Sequence, residues 1–393
     1  MKVVHVTTRY PPGPGGVERH VFEVVTRLRA RGIDASVLTT DLLTEIPWAR
    51  LPKEVTSERR TADGIPIHRH RARALADDLH YPLLPGLASD LLEARPDLVH
   101  VHTYGTYQGF SALFAERMRG IPYVLTAHYH PTWSIWGGSG RKRLRSVYDR
   151  FLAGPVVGHA ARLIVQTREE ERLVREVVPQ VPPVVIIPPG HTPLPEPGPA
   201  ELAEWQSRDP YFLFVGRLAS NKGLLPLVRA LAELAPPRPA LLVVGEDGGT
   251  RSELTREIKR LGLEDRVVLT GFLKEERRLA AAYRGARALI LPSEYEAFGL
   301  VLVDALAQGT PVVASRVGGI PEVVDDGKDG FLIDAGDVPA LAGRLRWMLD
   351  HPVDARRMGE HGRTVTAPRF TWDRLVDRLV PLYEEVLAHR GAG

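Results

Sequence analysis

The chain has no cysteine. Disulfides, thiolate metal sites and a cysteine nucleophile are therefore excluded, and a cytoplasmic compartment is the natural expectation. No run of about 18 apolar residues occurs, so no transmembrane helix is expected. Met1-Lys2 leads directly into an expected strand, Val3 to Thr8, which reads as the absence of a signal peptide. The glycine loop Gly13-Pro14-Gly15-Gly16-Val17-Glu18 starts like a dinucleotide fingerprint but carries Glu18 where the third glycine belongs. It holds no Gly-Lys-Ser/Thr either, so it is not a Walker loop. No charge of one sign dominates: 51 Lys and Arg stand against 48 Asp and Glu, a net charge of +3. The excess lies in residues 1–190, where 25 basic residues face 19 acidic ones. No aromatic-interleaved basic stripe is present, and no nucleic-acid partner is expected. The one basic knot, Arg141-Lys142-Arg143-Leu144-Arg145, reads either as a weak contact with an anionic membrane surface or acidic acceptor, or as a solvated helix face.

At 393 residues, the chain is long enough for two domains. Short apolar runs alternate with helical patterns from the start, which predicts an α/β protein with doubly wound parallel sheets. Expected strands are Val3 to Thr8, Ala35 to Thr40, Ile65 to His70, Leu98 to His102, Tyr123 to Thr126, Arg162 to Gln166 and Val184 to Ile187. The Pro-rich stretch 191–210 breaks the rhythm and reads as a linker with one short helix around Ala200 to Gln206. A second α/β half follows, with strands at Tyr211 to Val215, Ala240 to Val244, Arg266 to Thr270, a run ending in Leu291, Pro311 to Ser315 and Gly330 to Ile333. The division is thus 1–190, a linker at 191–210, 211–370, and a terminal helix within 371–393.

Two stretches of the second half carry chemistry. After the apolar run ending in Leu291 comes a polar loop with Glu294 and Glu296, and Gly299 then opens a helix. Acidic residues and a glycine at a strand's C-terminal end, beside a helix N-terminus, mark where open α/β sheets bind ligands. Carboxylates there suit ligand hydroxyls and the helix N-terminus suits phosphate, so a nucleotide sugar fits both. The second stretch is Gly216-Arg217-Leu218-Ala219-Ser220-Asn221-Lys222-Gly223, where two cations flank the entry to a helix as a phosphate clamp. Without a partner they would oppose that helix's dipole. In the first half, His100, His102, His128 and His130 could suggest a metal, but no carboxylate shell accompanies them and none is expected.

These segments resemble the retaining GT-B glycosyltransferases of family 4, also called glycosyltransferase group 1. Glu296, Phe298, Gly299 and Asp304, with the tail Ala307 to Ser315, resemble the family's E-x7-E signature, with Asp304 standing where the family has Glu. Gly216-Arg217 and Lys222-Gly223 resemble its diphosphate-binding pair. Pro11-Pro12-x-x-Gly15-Gly16-Val17-Glu18 resembles its N-terminal loop, and Thr126-Ala127-His128 its T-x-H loop. Gly245 to Gly248 and Gly318 to Glu322 resemble two further motifs. Pro188-Pro189-Gly190-His191-Thr192 departs from the pattern, lacking the usual Asn and Asp.

The resemblance implies two Rossmann-like domains facing across a cleft, with acceptor on the N-terminal domain and donor on the C-terminal one. It implies that the terminal helix crosses back to the first domain. It implies transfer of a hexose from a UDP- or GDP-sugar to a hydroxyl of a glycan, lipid or small molecule, with retention. Arg217, Lys222, Glu296 and His128 would be catalytic. Gly16, Gly216, Gly271, Phe298, Gly299, Leu300 and Asp304 would bind the donor. Gly15, His102 and Tyr104 would lie on the acceptor side. No Asp-x-Asp occurs, so the cations would replace a bridging metal and no cofactor is required. Location would be cytoplasmic, or peripheral at the inner membrane face. A nucleotide-sugar 2-epimerase, turning over donor without acceptor, and a non-catalytic nucleotide-sugar-binding protein are the rival readings.

Overall fold

The computed structural model describes every residue except 46, 76–80, 132–137, 207, 209 and 392–393. The chain forms two compact units, Met1–Gly190 with Trp372–Gly393, and His191–Thr371. The second is an insertion in the chain of the first.

The first unit carries seven parallel strands: β1 (Lys2–Val6), β2 (Asp34–Thr40), β3 (Ile67–His70), β4 (Leu98–His102), β5 (Tyr123–Thr126), β6 (Arg162–Val165) and β7 (Val184–Ile186). Their order is β7-β6-β5-β4-β1-β2-β3. Val3 aligns with Ala35 on one side and Leu98 on the other. These three bury one face of the sheet against Val21, Val24, Val25 and Leu28 of helix α1 (Gly16–Ala30) and Trp372, Leu375, Val376 and Tyr383 of the terminal helix Trp372–Gly391. The alternate residues Val4, Val6, Val99 and Val101 bury the other face. Helices on both faces explain why the strands read as unbroken apolar runs. Helices α2 (Leu87–Ala94), α3 (Tyr107–Arg119) and α4 (Arg168–Val177) belong to this unit.

The second unit begins with helix α5 (Pro199–Gln206), followed by strands β8 (Tyr211–Val215), β9 (Ala240–Val244), β10 (Val267–Gly271), β11 (Ala288–Leu291), β12 (Val312–Ser315) and β13 (Gly330–Ile333). The sheet is again parallel, in the order β10-β9-β8-β11-β12-β13. Its helices include α6 (Leu224–Ala232), α7 (Glu276–Gly285) and α8 (Leu300–Ala307). In each sheet the strand order reverses once, between β1 and β4 and between β8 and β11. At such a point neighbouring strands send their chains to opposite faces, which leaves a crevice at their C-terminal ends.

The structure corrects two features of the sequence reading. Residues 191–210 are not a free linker: they belong to the second unit, α5 packs on α7, and Trp205 is buried in that unit's core. Residues 207 and 209 of that stretch lie outside the described residues. Helix α4 was not anticipated, although Thr167 caps it by accepting a hydrogen bond from the Glu170 N–H at 3.0 Å.

Candidate functional site

In the second unit the site is built on the reversal point between β8 and β11. The loop after β8 carries Gly216 to Gly223, and the loop after β11 carries Pro292 to Gly299. The two are tied together where the Glu294 N–H donates to the Asn221 carbonyl at 2.9 Å. They also touch where no side chain fits. Gly223 has a φ of 69°, and a β-carbon there would stand 1.9 Å from the Pro292 carbonyl oxygen. On the opposite side Gly318, with a φ of 53°, would place one 1.9 Å from the Glu296 carbonyl oxygen. That same oxygen accepts from the Gly319 N–H at 3.0 Å. The segment that presents Glu296 is therefore gripped from both sides by backbone.

This grip brings Glu296 to Lys222. Lys222 Nζ lies 2.6 Å from Glu296 Oε2, with side-chain exposures of 20% and 17%. Lys222 thus has a partner within the chain that the sequence reading did not anticipate: the cation is neutralised by the carboxylate. Arg217 is exposed, and the site where a Gly248 β-carbon would stand is only 2.8 Å from its Cγ, so the turn after β9 supports its stem. Gly216 shares that corner; its carbonyl oxygen leaves no room for a β-carbon at Gly245. Gly299 caps α8, and Leu300 opens the helix at 41% exposure, leaving the helix N-terminus accessible. Phe298 is instead buried, edge-on to Phe370 at 5.3 Å, and supports the loop from the core. Gly271 ends β10, and Phe272 beside it is 61% exposed.

Asp304 holds a partner that the sequence did not reveal. Its Oδ1 lies 3.0 Å from Nδ1 of the buried His191. His191 is the first residue of the second unit, and its backbone N–H donates to the Phe370 carbonyl at 2.6 Å, close to where the chain leaves that unit. Asp304, where the chain departs from the E-x7-E signature, is thus joined by one contact to the segment Pro188 to Thr192, which also departs from the family pattern. Burial, and then the Asp304 charge, hold the neighbouring Tyr283 phenol well above its usual range.

In the first unit, a cavity of about 230 Å³ lies at the reversal point between β1 and β4. Gly15, Gly16, Glu18, Thr103, Thr106 and His128 are among its lining residues. Gly16 opens α1, and a β-carbon there would meet nothing within 4 Å, so its backbone is open to a ligand. Glu18 folds back over Gly15 and pairs with Arg9 at 2.7 Å, which accounts for the missing third glycine. Thr103 and His128 have φ values of 77° and 43°. Side chains seldom take that conformation, a β-branched one least of all, and strain of this kind gathers at ligand sites. Glu170 holds the His128 loop: its carboxylate accepts from the Tyr129 N–H at 2.6 Å and the Gln166 N–H at 2.5 Å, and Gln166 meets His128 Nδ1 at 3.3 Å.

His102 and Tyr104 lie elsewhere. Both are buried and neither lines the cavity. Tyr104 donates to Asp149 at 2.8 Å. His102 belongs to a stack with His5 and His100: His5 Nδ1 is 3.0 Å from His102 Nε2, and His100 reaches the Thr126 hydroxyl at 2.7 Å and the Tyr383 hydroxyl at 2.5 Å. His20 and His128 close the group. Burial holds His5 at about 3 and His20 at about 4, and holds His100, His102 and His128 well below the usual range. Burial pushes Glu170 the other way, up to about 7, and raises Glu18. Of the basic knot, Arg145 turns inward onto Asp149 and the rings of Tyr104 and Tyr129, while Lys142 and Arg143 are exposed. The Arg141 side chain lies outside the described residues.

Two parallel doubly wound sheets in one chain, with cations and a carboxylate at the second reversal point, define the GT-B class. Residues 202–365 match the family described as glycosyl transferases group 1, and residues 15–190 match a glycosyl transferase 4-like domain. A D-inositol 3-phosphate glycosyltransferase of Acidothermus cellulolyticus is 31% identical, with 99% of this chain and 90% of the relative covered. A glycogen synthase of Mycobacterium tuberculosis is 28% identical over 100% of this chain and 96% of its own. Among solved structures, a sucrose-phosphate synthase of Thermosynechococcus elongatus superposes with a TM-score of 0.75 at 24% identity, covering 99% of each chain. The Anabaena protein HepE, solved with UDP-glucose, superposes with a TM-score of 0.71 at 21% identity, covering 98% of this chain and 100% of its own. The chain belongs to the glycosyl transferases group 1 family and is a glycosyltransferase.

Two outcomes are expected. Gly318→Ala will displace the Glu296 backbone and lower turnover roughly 100-fold, the scale of an ångström misplacement in a site. Gly327→Ala, with φ of 79° and nothing within 4 Å, is the control: it carries the backbone strain alone and leaves turnover unchanged. Equal effects would contradict the role of the contact. The second outcome concerns pH. The five histidines of this group take up protons near 6.5 when unfolded but not when folded, so stability drops as pH falls through 6.5. Glu170 and Glu18 protonate more readily when folded and oppose this until pH falls to the ordinary carboxylate range, but they are two against five. The thermal midpoint should fall from pH 7 to pH 5 and more steeply below that; a midpoint that is flat or rising over this range would disprove the balance.

Proposed function

We propose that the chain transfers a hexose from a nucleoside diphosphate sugar, UDP- or GDP-linked, to a hydroxyl of a glycan, lipid or small molecule, with retention and without a metal in the chemistry. The observation that carries this reading is the Lys222–Glu296 pair at the reversal point of the second sheet. Such a pair offers a cation to phosphate and a carboxylate to sugar hydroxyls from one position. The UDP-glucose bound to HepE supports a nucleotide sugar as the donor class.

In this reading the donor binds to the second unit. Its diphosphate draws Lys222 away from Glu296 and joins Arg217 and the amides of Gly299 and Leu300, with Gly216 allowing close approach. Glu296, released, turns to the sugar hydroxyls. Asp304, held by His191, takes the ribose, and Gly271 with the exposed Phe272 borders the base. The first unit offers the acceptor Gly15, Gly16 and His128 around its cavity. The acceptor oxygen forms a bond to the anomeric carbon while the bond from that carbon to the phosphate oxygen breaks. The acceptor proton passes to the departing phosphate on the same face. Charge builds on the diphosphate as it leaves, and preorganised cations and N–H groups are the main source of its stabilisation. His128, kept neutral by burial, takes the Gln166 amide on Nδ1 and so offers Nε2–H as a donor to a ligand hydroxyl without adding charge.

The exposed Lys142, Arg143, Val147, Arg150, Phe151 and Leu152 combine cations with apolar side chains. They support contact of the first unit with an anionic membrane surface, where a lipid acceptor would be found.

The donor assignment is tested with UDP-, GDP- and ADP-hexoses in EDTA, scoring binding and slow release of nucleoside diphosphate. One donor should bind and be cleaved, and Lys222→Ala should weaken its binding at least tenfold. A sugar isomer as sole product would indicate an epimerase, binding without release under any acceptor a sensor, and no binding would remove the reading. The membrane contact is tested by vesicle flotation. Recovery should favour anionic over neutral vesicles and fall when Lys142 and Arg143 become Glu; equal recovery would reject it.

A further inference from the structure

β3 is the outer strand of the first sheet, paired among the described residues with β2. His68 and His70 are two residues apart on it, so their rings share one face. The rings are stacked, with centroids 4.5 Å apart. Asp90, in the first turn of α2, stands opposite both. Its Oδ2 lies 2.6 Å from His68 Nδ1 and 3.4 Å from His70 Nε2.

The state of His70 makes this more than an ion pair. Its side chain is 6% exposed, and Nε2 has no hydrogen-bond partner. The Nδ1 edge lies against Gly86, and Nε2 lies 3.4 Å from the Asp90 carboxylate with no hydrogen bond to it. In the tautomer protonated on Nδ1, the Nε2 lone pair and the carboxylate oxygen are two acceptors with no donor between them. Buried acceptors in this relation cost free energy unless a cation stands between them.

We propose that His68, His70 and Asp90 form a site for a first-row divalent cation, zinc by preference, that ties the outer strand β3 to α2. The ligand set is two neutral imidazoles and one carboxylate, which suits zinc and its neighbours. The ligand atoms all lie within 4.8 Å of one another. With metal–ligand bonds of about 2.0–2.1 Å, the edge of a tetrahedron is about 3.3 Å. The His70–Asp90 separation already has that length. His68 is closer to Asp90 than this, but at 38% exposure it is free to swing outward by the remaining distance, under about 1 Å. Water completes the fourth position through the exposed side. The site stands on residues outside the proposed donor and acceptor machinery and does not depend on that reading. The other two groups, His5 with His100 and His102, and His20 with His102 and His128, have no carboxylate and belong to the acceptor half already described.

The test uses the untagged full-length chain, stripped with EDTA and titrated with Zn²⁺ and Co²⁺ by calorimetry and visible absorption. One ion per chain should bind, with tetrahedral Co²⁺ bands, and saturating Zn²⁺ should raise the thermal midpoint. His68→Ala and Asp90→Asn, both partly exposed positions, should each weaken binding at least tenfold and abolish the rise in midpoint. No saturable binding to the wild-type chain would overturn the proposal. So would binding that both variants retain, which would place the ion elsewhere.

Discussion

The backbone of residues 292–296 runs between two glycines that have no room for a β-carbon, and the proposed donor site depends on that confinement. Gly223 presses on one carbonyl of the segment and Gly318 on another, each from a left-handed turn. Neither contact is an attraction. Each is a limit on volume, and together they decide where Glu296 stands relative to Lys222. The parallel sheet makes the confinement possible, because β8 and β11 are neighbours and deliver both loops to the same edge. Position here is set by backbone against backbone, which resists displacement far better than a side chain with freedom to rotate.

Within that frame, three charged groups near the two reversal points have internal counterparts. Lys222 is held by Glu296, Asp304 by His191 and Glu18 by Arg9. A half-buried charge left alone would lose much of its hydration, and pairing offsets that loss. The arrangement also gives selectivity a physical basis. A ligand must replace the partner it removes, so a phosphate that takes Lys222 must bring hydroxyls for Glu296. Ligands with only one of these features leave a carboxylate or an ammonium stranded. The histidine stack of the first unit follows the opposite strategy, storing five ionisable rings in their uncharged form.

The alternation of apolar runs was sufficient to read both sheets, since strands covered on two faces leave an unambiguous pattern. Motif spacing singled out Arg217, Lys222 and Glu296 as candidates, and they lie within two loops that follow strand ends. It could not reveal that Lys222 and Glu296 face each other, because 74 residues separate them. His191 escaped notice for the same reason, 113 residues from Asp304. Proline content misled at 191–210: it argues against a long helix but says nothing about whether Trp205 finds a core. His102 looked like a cleft residue because it ends a strand. Its burial comes from His5 on β1 and from His100, whose other partner, Tyr383, is 283 residues further along the chain. Glu170 was legible in principle, since Thr167 three residues earlier is a helix cap, but its use as an anchor for the His128 loop was not.

The terminal helix gives the chain an order of assembly. The sheet of the first unit is complete in sequence by Ile186, yet one of its faces is covered by Trp372, Leu375, Val376, Leu379, Tyr383 and Val386. All of the second unit lies between them. On a ribosome adding about 5–20 residues per second, the first unit waits roughly 10–40 seconds for the residues that complete this cover. The second unit, contiguous from His191 to Thr371, has everything it needs before that wait ends. The half of the enzyme made first is therefore the half finished last, and during synthesis it is the first sheet, not the second, that presents apolar surface to chaperones.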